Sequence, residues 1–593
     1  MKLMGYRQWR MQVGSAFLAL TLPLTVAFSG CSEPADGPAD TAERPTVDQV
    51  NAQLVAHDAE FQRTVYTVTD GVYQAVGFGL ANSIMVEGDE CVFIVDVMAT
   101  REAAQEVRAA FAEITDKPIA ALIYTHNHAD HVFGGLGFVP DGEVDVYAQA
   151  TTEHYIDRVV SIIRPIIAMR SARMFGDVLP RSGPDAMIND GIGPFLELSA
   201  PEATVGLIRP NRVFEHRLET EICGVRVHME HAPGETNDQI FVWLPDRRVL
   251  MPGDNVYKAF PNLYTIRGTL YRDPMDWVRS IDRMRELAPE HLAPSHTRPV
   301  SGAEQIEDIL TAYRDAIQFV HDQTVRGMNE GLTPDELVEV VRLPPHLAGH
   351  PYLQELYGTV EWSVRSVFAG YLGWFDGDTA TLSPAPPDDR ARGYVELAGG
   401  EEAMATAIHS ALESGNADWA AELADHLLRA SPSNAEARRL KAAALRALGR
   451  RSVSPNGRNY YLTQARELEG KAEIRPDVEV GDGVRDFLAT IPIGRFMAAM
   501  PVLLDAERAA DVDVVAGFRF RDIDEGYTLR VRRGVAEFRP EFPTDPDVSI
   551  ETSSEVWREV VLGIRNPALT LVSGDVEIEG GRLDLVAFLR LFQ

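Results

Sequence analysis

The sequence predicts an α/β fold with its chemistry at strand ends, followed by a helical middle and a β-rich α+β end. Three observations carry that expectation. Short apolar runs alternate with a helical one between Val72 and Tyr124, apolar spacing lengthens to three and four from about Gln305, and alternation at two returns in the last hundred residues. At 593 residues the chain is too long for one core and fits three or four domains, at roughly 150 residues each.

The beginning of the chain reads as a targeting segment. Lys2, Arg7 and Arg10 precede the apolar stretch Val13–Phe28, which closes on Ser29-Gly30-Cys31, the order of an export signal over residues 1–30. The apolar run is short for a membrane span and holds Pro23. Phe28-Ser-Gly-Cys31 resembles the bacterial lipoprotein box. That resemblance implies cleavage before Cys31, lipid on its side chain, and a membrane-anchored place in the periplasm or cell envelope. Residues 31–46, rich in Pro, Asp, Glu and Ala, read as a flexible linker. Of the mature cysteines, Cys91 and Cys223 sit in strand-like apolar stretches, and nothing in the sequence brings them together, so both read as buried free thiols. The formal charge of −32 excludes a nucleic-acid partner, which needs a basic surface, and makes any anionic ligand depend on locally placed cations.

After the linker, Val72–Val76, Ser83–Val86, Cys91–Val95 and Ile119–Tyr124 read as strands, and Glu102–Ile114 reads as a helix. In the middle, Ile306, Ile309, Leu310, Tyr313, Ile317 and Val320 form one helical stripe. Thr333-Pro-Asp-Glu336 has a capping threonine, proline at the first helical position and glutamate at the third, a start signal for a further helix. Residues 401–449 hold two Ala- and Leu-rich amphipathic segments broken at Ser431-Pro-Ser-Asn434, like one unit of a helical-hairpin repeat. Val514–Phe520, Tyr527–Val531 and Val576–Ile578 read as strands, with a turn at Val572–Asp575. The expected domains are 47–304, 305–470 and 471–593.

The chemistry begins at Tyr124–Gly135, where His126, His128, Asp130 and His131 fall within six positions of a chain that has 15 histidines. In an extended segment His126 and His128 project to the same side and grip one ion, while Asp130 and His131 face a second site one turn later. Imidazole with carboxylate suits zinc, and also manganese or iron. Three further candidates follow strand-like runs in order: Glu235 in Ala-Pro-Gly-Glu, Asp254 in Met-Pro-Gly-Asp, and His296 in Ala-Pro-Ser-His. No Gly-rich dinucleotide loop or Gly-Lys-Ser/Thr phosphate loop competes with them.

This ordered set resembles the metallo-β-lactamase fold, and more closely its alkyl sulfatase branch. The resemblance implies an αββα sandwich with two Zn2+ per chain, one on His126, His128 and Glu235, the other on Asp130, His131 and His296, with Asp254 bridging. Glutamate at position 235 is the branch's choice where other members use histidine, whereas the branch carries glutamate where Asp254 stands. Asn262-Leu-Tyr-Thr-Ile-Arg-Gly268 matches the segment that holds the sulfate group, which implies substrate contacts from Asn262, Tyr264, Thr265 and Arg267. His321–Arg326, Gly331–Glu336, Tyr357–Thr359 and Tyr371–Gly377 match the helical dimerisation domain, implying a homodimer, and the end of the chain is similar to a sterol-carrier-like α+β domain.

The activity so implied is a dinuclear zinc hydrolase that cleaves an amphiphilic alkyl sulfate ester to an alcohol and inorganic sulfate through a metal-activated hydroxide, with Asp130 and Asp254 as its catalytic carboxylates. Another ester or a lactam is the alternative substrate, and a lipid-binding surface protein with a silent site the alternative class. Two stretches depart from the branch's pattern. Glu235-Thr-Asn-Asp-Gln239 lacks a proline and a second carboxylate, and Thr297-Arg298-Pro299 stands where relatives commonly read His-Trp-Pro. That second histidine is a candidate proton donor in relatives.

Overall fold

In a computed structural model of the chain, residues 51–158, 162–196, 198, 203–474, 491–561, 565, 566, 570 and 573–592 are described. The expected signal, Cys31, the linker and Val572 lie outside them. Seven strands hydrogen-bond in chain order in a first sheet: β1 (Thr64–Thr69), β2 (Val72–Val76), β3 (Ser83–Glu87), β4 (Val92–Val95), β5 (Ile119–Ile123), β6 (Asp145–Gln149) and β7 (Arg212–Phe214). A second sheet holds β8 (Arg217–Ile222), β9 (Val225–His231), β10 (Ile240–Leu244), β11 (Val249–Met251), β12 (His291–Leu292) and β13 (Val300–Ser301).

Side-chain alternation explains why these strands read as unbroken apolar runs: both faces are covered. Ile84, Val86, Phe93, Val95, Ile240, Val242 and Leu244 meet in a core shared by the two sheets. Their neighbours Met85 and Ile94 face outward onto Ala104, Val107 and Phe111 of helix Arg101–Ala112. Phe241 and Trp243 face the other way, onto Trp277 and Ile281 of helix Pro274–Glu286 and onto Ile309, Tyr313 and Ile317 of helix Ala303–Asn329. The result is the expected αββα sandwich. Two parallel pairs, β4 with β5 and β11 with β12, bring four strand ends to one edge of it.

The cysteine expectation is overturned. Cys91, just before β4, and Cys223, in the turn between β8 and β9, form a disulfide across 132 residues with their Cα atoms 5.4 Å apart. The turn lays its backbone against the loop before β4, where the Asp89 amide donates to the Cys223 carbonyl at 2.9 Å. Sequence spacing cannot reveal this, because the contact depends on how one sheet lies over the other.

In the middle of the chain the stripe on Ala303–Asn329 is buried as expected, and Thr333 with Glu336 makes the full capping box at the start of Pro334–Val340. The stretch read as two helices is three: Glu401–Glu413, Ala417–Ala430 and Ala435–Arg451. The extra break falls at Gly415, at φ +78°, and Asn416 caps the second of these helices by accepting from the Trp419 amide. Alanine-rich composition on both sides hides that break. At the end of the chain β14 (Asp513–Phe520), β15 (Glu525–Arg532), β16 (Val535–Arg539), β17 (Val548–Thr552) and β18 (Glu577–Glu579) form a sheet in the order β16-β15-β14-β17-β18. Its Phe518, Leu529 and Ile550 pack on Trp557 and Phe588 of two helices, an α+β unit with its own core.

Cys223→Ala opens a cross-link over a long loop and is expected to lower stability by about 2–5 kcal/mol. Denaturant unfolding with and without reductant checks this: reductant should lower the wild-type midpoint to that of the variant and leave the variant unmoved.

Candidate active site

Each ligand-capable side chain lies just past a strand end. β5 runs into Tyr124-Thr-His126, and His128 stands at the start of the short helix Ala129–Val132, whose first turn aims Asp130 and His131 back at the same point. β11 ends at Met251, and Gly253 turns the chain at φ +59° to present Asp254. A Cβ on Gly253 would fall 2.0 Å from Gln239 Nε2 and 3.0 Å from Thr125 Cβ, so glycine is required there. β12 leads to Ser295-His296, and the turn after β9 carries Glu235.

The structure brings all seven expected ligands together. His126 Nε2 and His128 Nδ1 approach to 2.9 Å. Asp254 Oδ2 stands 3.5 Å from His126 Nε2, 3.4 Å from His131 Nε2 and 3.1 Å from His296 Nε2. Asp130 Oδ2 lies 3.4 Å from His131 Nε2 and 3.6 Å from His296 Nε2. Three sets have ligand atoms within 4.8 Å of one another: His126, His131 and Asp254; Asp130, His131 and His296; His128, Glu235 and Asp254. Asp254 joins the two halves of the cluster.

Outer partners fix these orientations, as is usual around ligating histidines. Asp96, at the end of β4, accepts from His131 Nδ1 at 2.8 Å, from Ser295 Oγ at 2.6 Å, and from the Thr125 amide and hydroxyl at 2.9 Å each. His296 Nδ1 donates to the Leu80 carbonyl at 2.8 Å, leaving Nε2 toward the cluster. Asn255 accepts from the Glu235 amide at 3.1 Å and donates to the Ala232 carbonyl at 2.7 Å. Sequence reasoning missed Asp96 and Asn255, although a carboxylate at a strand end was the same signal that pointed to Asp254.

The substrate-loop residues separate. Arg267 Nη2 donates to His128 Nε2 at 3.0 Å, which places its guanidinium beside the cluster. Asn262 is fully buried, with its amide N–H donating to Tyr257 Oη at 3.0 Å. Thr265 turns away, its hydroxyl donating to Met174 Sδ at 3.3 Å, and Tyr264 is half-buried. Arg272, also missed, is buried with Nη1 on Glu235 Oε1 at 2.5 Å. Of the two departures, Thr297 donates its hydroxyl to the His296 carbonyl at 2.5 Å, and Arg298 pairs with Glu60 through Nε at 2.8 Å and Nη2 at 2.5 Å. Neither puts a titratable donor at the cluster.

The donor set fits divalent metal. Burial holds the His126 imidazole down to about 3, aided by the neighbouring His131, and holds His128 well below its usual value. Burial pushes Glu235 up to about 7 against the pull of Arg272. Burial also acts to raise Asp254, but His131, His296 and His126 outweigh it and hold that carboxyl well below the usual range. His131 Nε2, Glu235 Oε2 and Asp254 Oδ1 are buried without a hydrogen-bond partner among the described residues. Such atoms are rare in native interiors, and imidazoles beside carboxylates are what zinc, manganese or iron bind.

Asp96→Ala strips four donors of a charged acceptor, each such bond worth roughly 1.5–3 kcal/mol. A loss of about 3 kcal/mol or more in denaturant unfolding is expected, and near-wild-type stability would show that Asp96 is not the node of this network.

Comparison with known proteins accords with this architecture. Residues 76–296 match the metallo-beta-lactamase superfamily, 333–471 the alkyl sulfatase dimerisation family and 483–593 the alkyl sulfatase C-terminal family. The chain is 42% identical, over 86% of its length and 98% of the other's, to a linear primary-alkylsulfatase of a Pseudomonas species. It is 31% identical, over 89% of its length and 82% of the other's, to the alkyl/aryl-sulfatase BDS1 of Saccharomyces cerevisiae. Among solved structures, the stereoselective inverting sec-alkylsulfatase Pisa1 from Pseudomonas superposes with a TM-score of 0.84 at 28% identity, covering 93% of this chain and 88% of that one. With the sandwich, the helical middle and the α+β end all matched in order, the chain belongs to the alkyl sulfatase family of the metallo-β-lactamase fold.

Proposed function

We propose that the protein is a dinuclear zinc alkylsulfatase that hydrolyses alkyl sulfate esters to an alcohol and inorganic sulfate. The observation that carries this reading is a buried cluster of seven ligand-capable side chains, in which Asp254 belongs to two of the three close sets, with the Arg267 guanidinium 3.0 Å from one of its histidines. Two zinc ions would be held by His126, His128 and Glu235 and by Asp130, His131 and His296, with Asp254 beside both sets, and would supply Lewis acidity and a water that ionises near neutral pH.

The chain's own residues do the rest. Arg267 offers a planar fork to the sulfuryl oxygens, and buried Asn262 adds neutral hydrogen-bonding groups that cost no charge repulsion. Asp96 holds His131 in one tautomer, and the Leu80 carbonyl does the same for His296. Exposed Ile166, on the helix Arg164–Met174 whose Arg170 ties the Ile266 carbonyl at 3.0 Å, and Leu270 of the loop itself would offer apolar surface to an alkyl tail. Residues 305–470 would form the homodimer, a reading supported by Trp374 at 76% and Leu397 at 86% exposure, large apolar side chains that a second copy would cover. Export through residues 1–30 and lipidation at Cys31 would place the enzyme in the bacterial periplasm or cell envelope, facing detergent-like esters.

Metal analysis coupled to sulfate release from dodecyl sulfate tests the reading. The purified chain is expected to hold about two zinc ions, as a two-metal site requires, and to lose activity to a chelator. His128→Ala and Asp254→Ala should each lower kcat/KM by roughly 1000-fold or more, since several kcal/mol of charge stabilisation go with the metal. No sulfate released by the zinc-loaded wild type would sink the proposal.

A further inference from the structure

From Arg158 to Gly176 the chain carries Arg158, Arg164, Arg170 and Arg173 and no aspartate or glutamate. In a chain of net charge −32 this run is a local reversal of sign. Its apolar side chains are placed just as unusually. Ile162, Ile163 and Ile166 are 46%, 36% and 47% exposed, and within the helix Arg164–Met174 only Met174 is buried. A helix built for the core would turn its isoleucines inward. This one is held from its other side: Arg170 donates to the Ile266 carbonyl at 3.0 Å, Arg173 pairs with Glu467 at 2.8 Å, and Ile167 Cδ1 lies 3.2 Å from where a Cβ on Gly268 would stand. The exposed isoleucines therefore ride on an anchored helix beside the loop that carries Arg267.

Charge decides what such a face would meet. Arg158 and Arg164 have no carboxylate partner among the described residues, whereas exposed arginines such as Arg226 with Asp246 and Arg451 with Asp418 are paired. Burial holds half-buried Arg164 below its ordinary pKa. Unpaired guanidiniums flanked by exposed isoleucines are the pattern of an interfacial segment, whose apolar side chains enter an amphiphile layer while its cations meet anionic headgroups. An alkyl sulfate supplies both parts, and once aggregated it presents them as a surface. The acidic remainder of the chain would repel that surface, which leaves contact to this run. A second copy of the chain is already assigned to residues 305–470 in the homodimer reading, away from this face.

We propose that Ile162, Ile163 and Arg164 form a docking surface for micelles of an anionic alkyl amphiphile, distinct from the residues that bind a single substrate molecule. The isoleucines enter the alkyl layer and Arg164 meets its headgroups. The face brings the micelle to rest beside the Arg267 loop and takes no part in bond cleavage. The inference rests on the alkylsulfatase reading for the identity of the headgroup.

The test compares full-length, zinc-loaded wild type, Arg164→Gln and Ile162→Ser/Ile163→Ser on hexyl sulfate, which stays monomeric, and on dodecyl sulfate below and above its micelle concentration. Wild type is expected to release sulfate faster once dodecyl sulfate aggregates. On aggregated substrate Arg164→Gln should lose roughly 5-fold in rate and the isoleucine variant roughly 10-fold or more, with hexyl sulfate turnover unchanged. Pelleting with phosphatidylcholine vesicles that carry hexadecyl sulfonate, an anion with no ester to cleave, should rank the three proteins the same way, measured over phosphatidylcholine alone. No gain on aggregation in the wild type, wild-type rates on aggregates in both variants, or an equal loss on hexyl sulfate overturns the proposal. Binding of phosphatidylglycerol vesicles as tight as that of sulfonate vesicles assigns the face to a membrane, and an altered oligomeric state in the isoleucine variant assigns it to a second copy; either result also overturns it. Should the isoleucine variant fail to fold, Arg164→Gln decides alone. A wild type that cleaves neither ester defeats the alkylsulfatase reading, and binding of the sulfonate vesicles still decides the docking surface.

Discussion

Asp96 accepts hydrogen bonds from Thr125 and His131 of the segment after β5 and from Ser295 of the segment after β12, two stretches far apart in sequence that converge on the cluster. Through Thr125 it reaches His126, whose Nδ1 lies 3.0 Å from the Thr125 hydroxyl, and through Ser295 it abuts His296. A carboxylate with no exposure survives in a core only when its lone pairs are met, and here four donors meet them. The backbone bears a cost for this arrangement. Asp96 sits at φ 58° and Met98 at φ 69°, left-handed conformations that non-glycine residues adopt where surrounding structure forces them. Strain concentrated here, rather than spread along the strands, is what turns the chain sharply enough to aim a side chain back along the sheet edge.

The same crowding decides the electrostatics. Asp130, Asp254 and Glu235 lie in one buried pocket with four imidazoles, and Arg272 offsets only Glu235 directly. Unpaired buried carboxylates are costly enough that a protein neutralises them by protons or by cations, and the orphaned ligand atoms point to cations. Over the whole chain a net charge of −32 repels an anionic ligand, but fields fade beyond about 10 Å in ordinary salt. In the proposed function, capture therefore falls to a guanidinium close at hand, that of Arg267 beside His128. Arg298 is removed from that role because Glu60, which also takes Lys258 Nζ at 2.7 Å, holds it elsewhere.

Much of this was legible in the residues. Short apolar runs located β2 to β5, and the strand-end positions of His126 to His131, Glu235, Asp254 and His296 foretold which side chains would meet. The features that stayed hidden have a common physical character. The Cys91–Cys223 bond depends on the stacking of two sheets, the break at Gly415 is masked by helix-forming neighbours on both sides, and Asp96 looks like any carboxylate after a strand. Arg272 belongs to the same class. Its importance lies in being buried against Glu235, a property of three-dimensional packing that no spacing of letters encodes.

The sandwich alone does not account for the position of Asn262. The loop that carries it is paired to a loop within the helical middle: the Phe260 amide donates to the Gln354 carbonyl at 2.7 Å, and the Gly358 amide returns to the Phe260 carbonyl at 3.2 Å. Gly358 must lack a side chain, since a Cβ there would fall 2.2 Å from the Pro261 carbonyl oxygen. Behind it, the Ser454 hydroxyl donates to the Tyr357 carbonyl at 2.7 Å, so a residue far along the chain holds this pairing in place. Tyr357 packs edge-on against Tyr257, and Tyr257 in turn against Tyr313 of the long helix and against His296. The helical middle is thus part of the wall of the site. A binding pocket needs polar atoms held rigidly on several sides, and here two sheets supply the cluster of ligand-capable side chains while the helices brace the loop that carries Asn262.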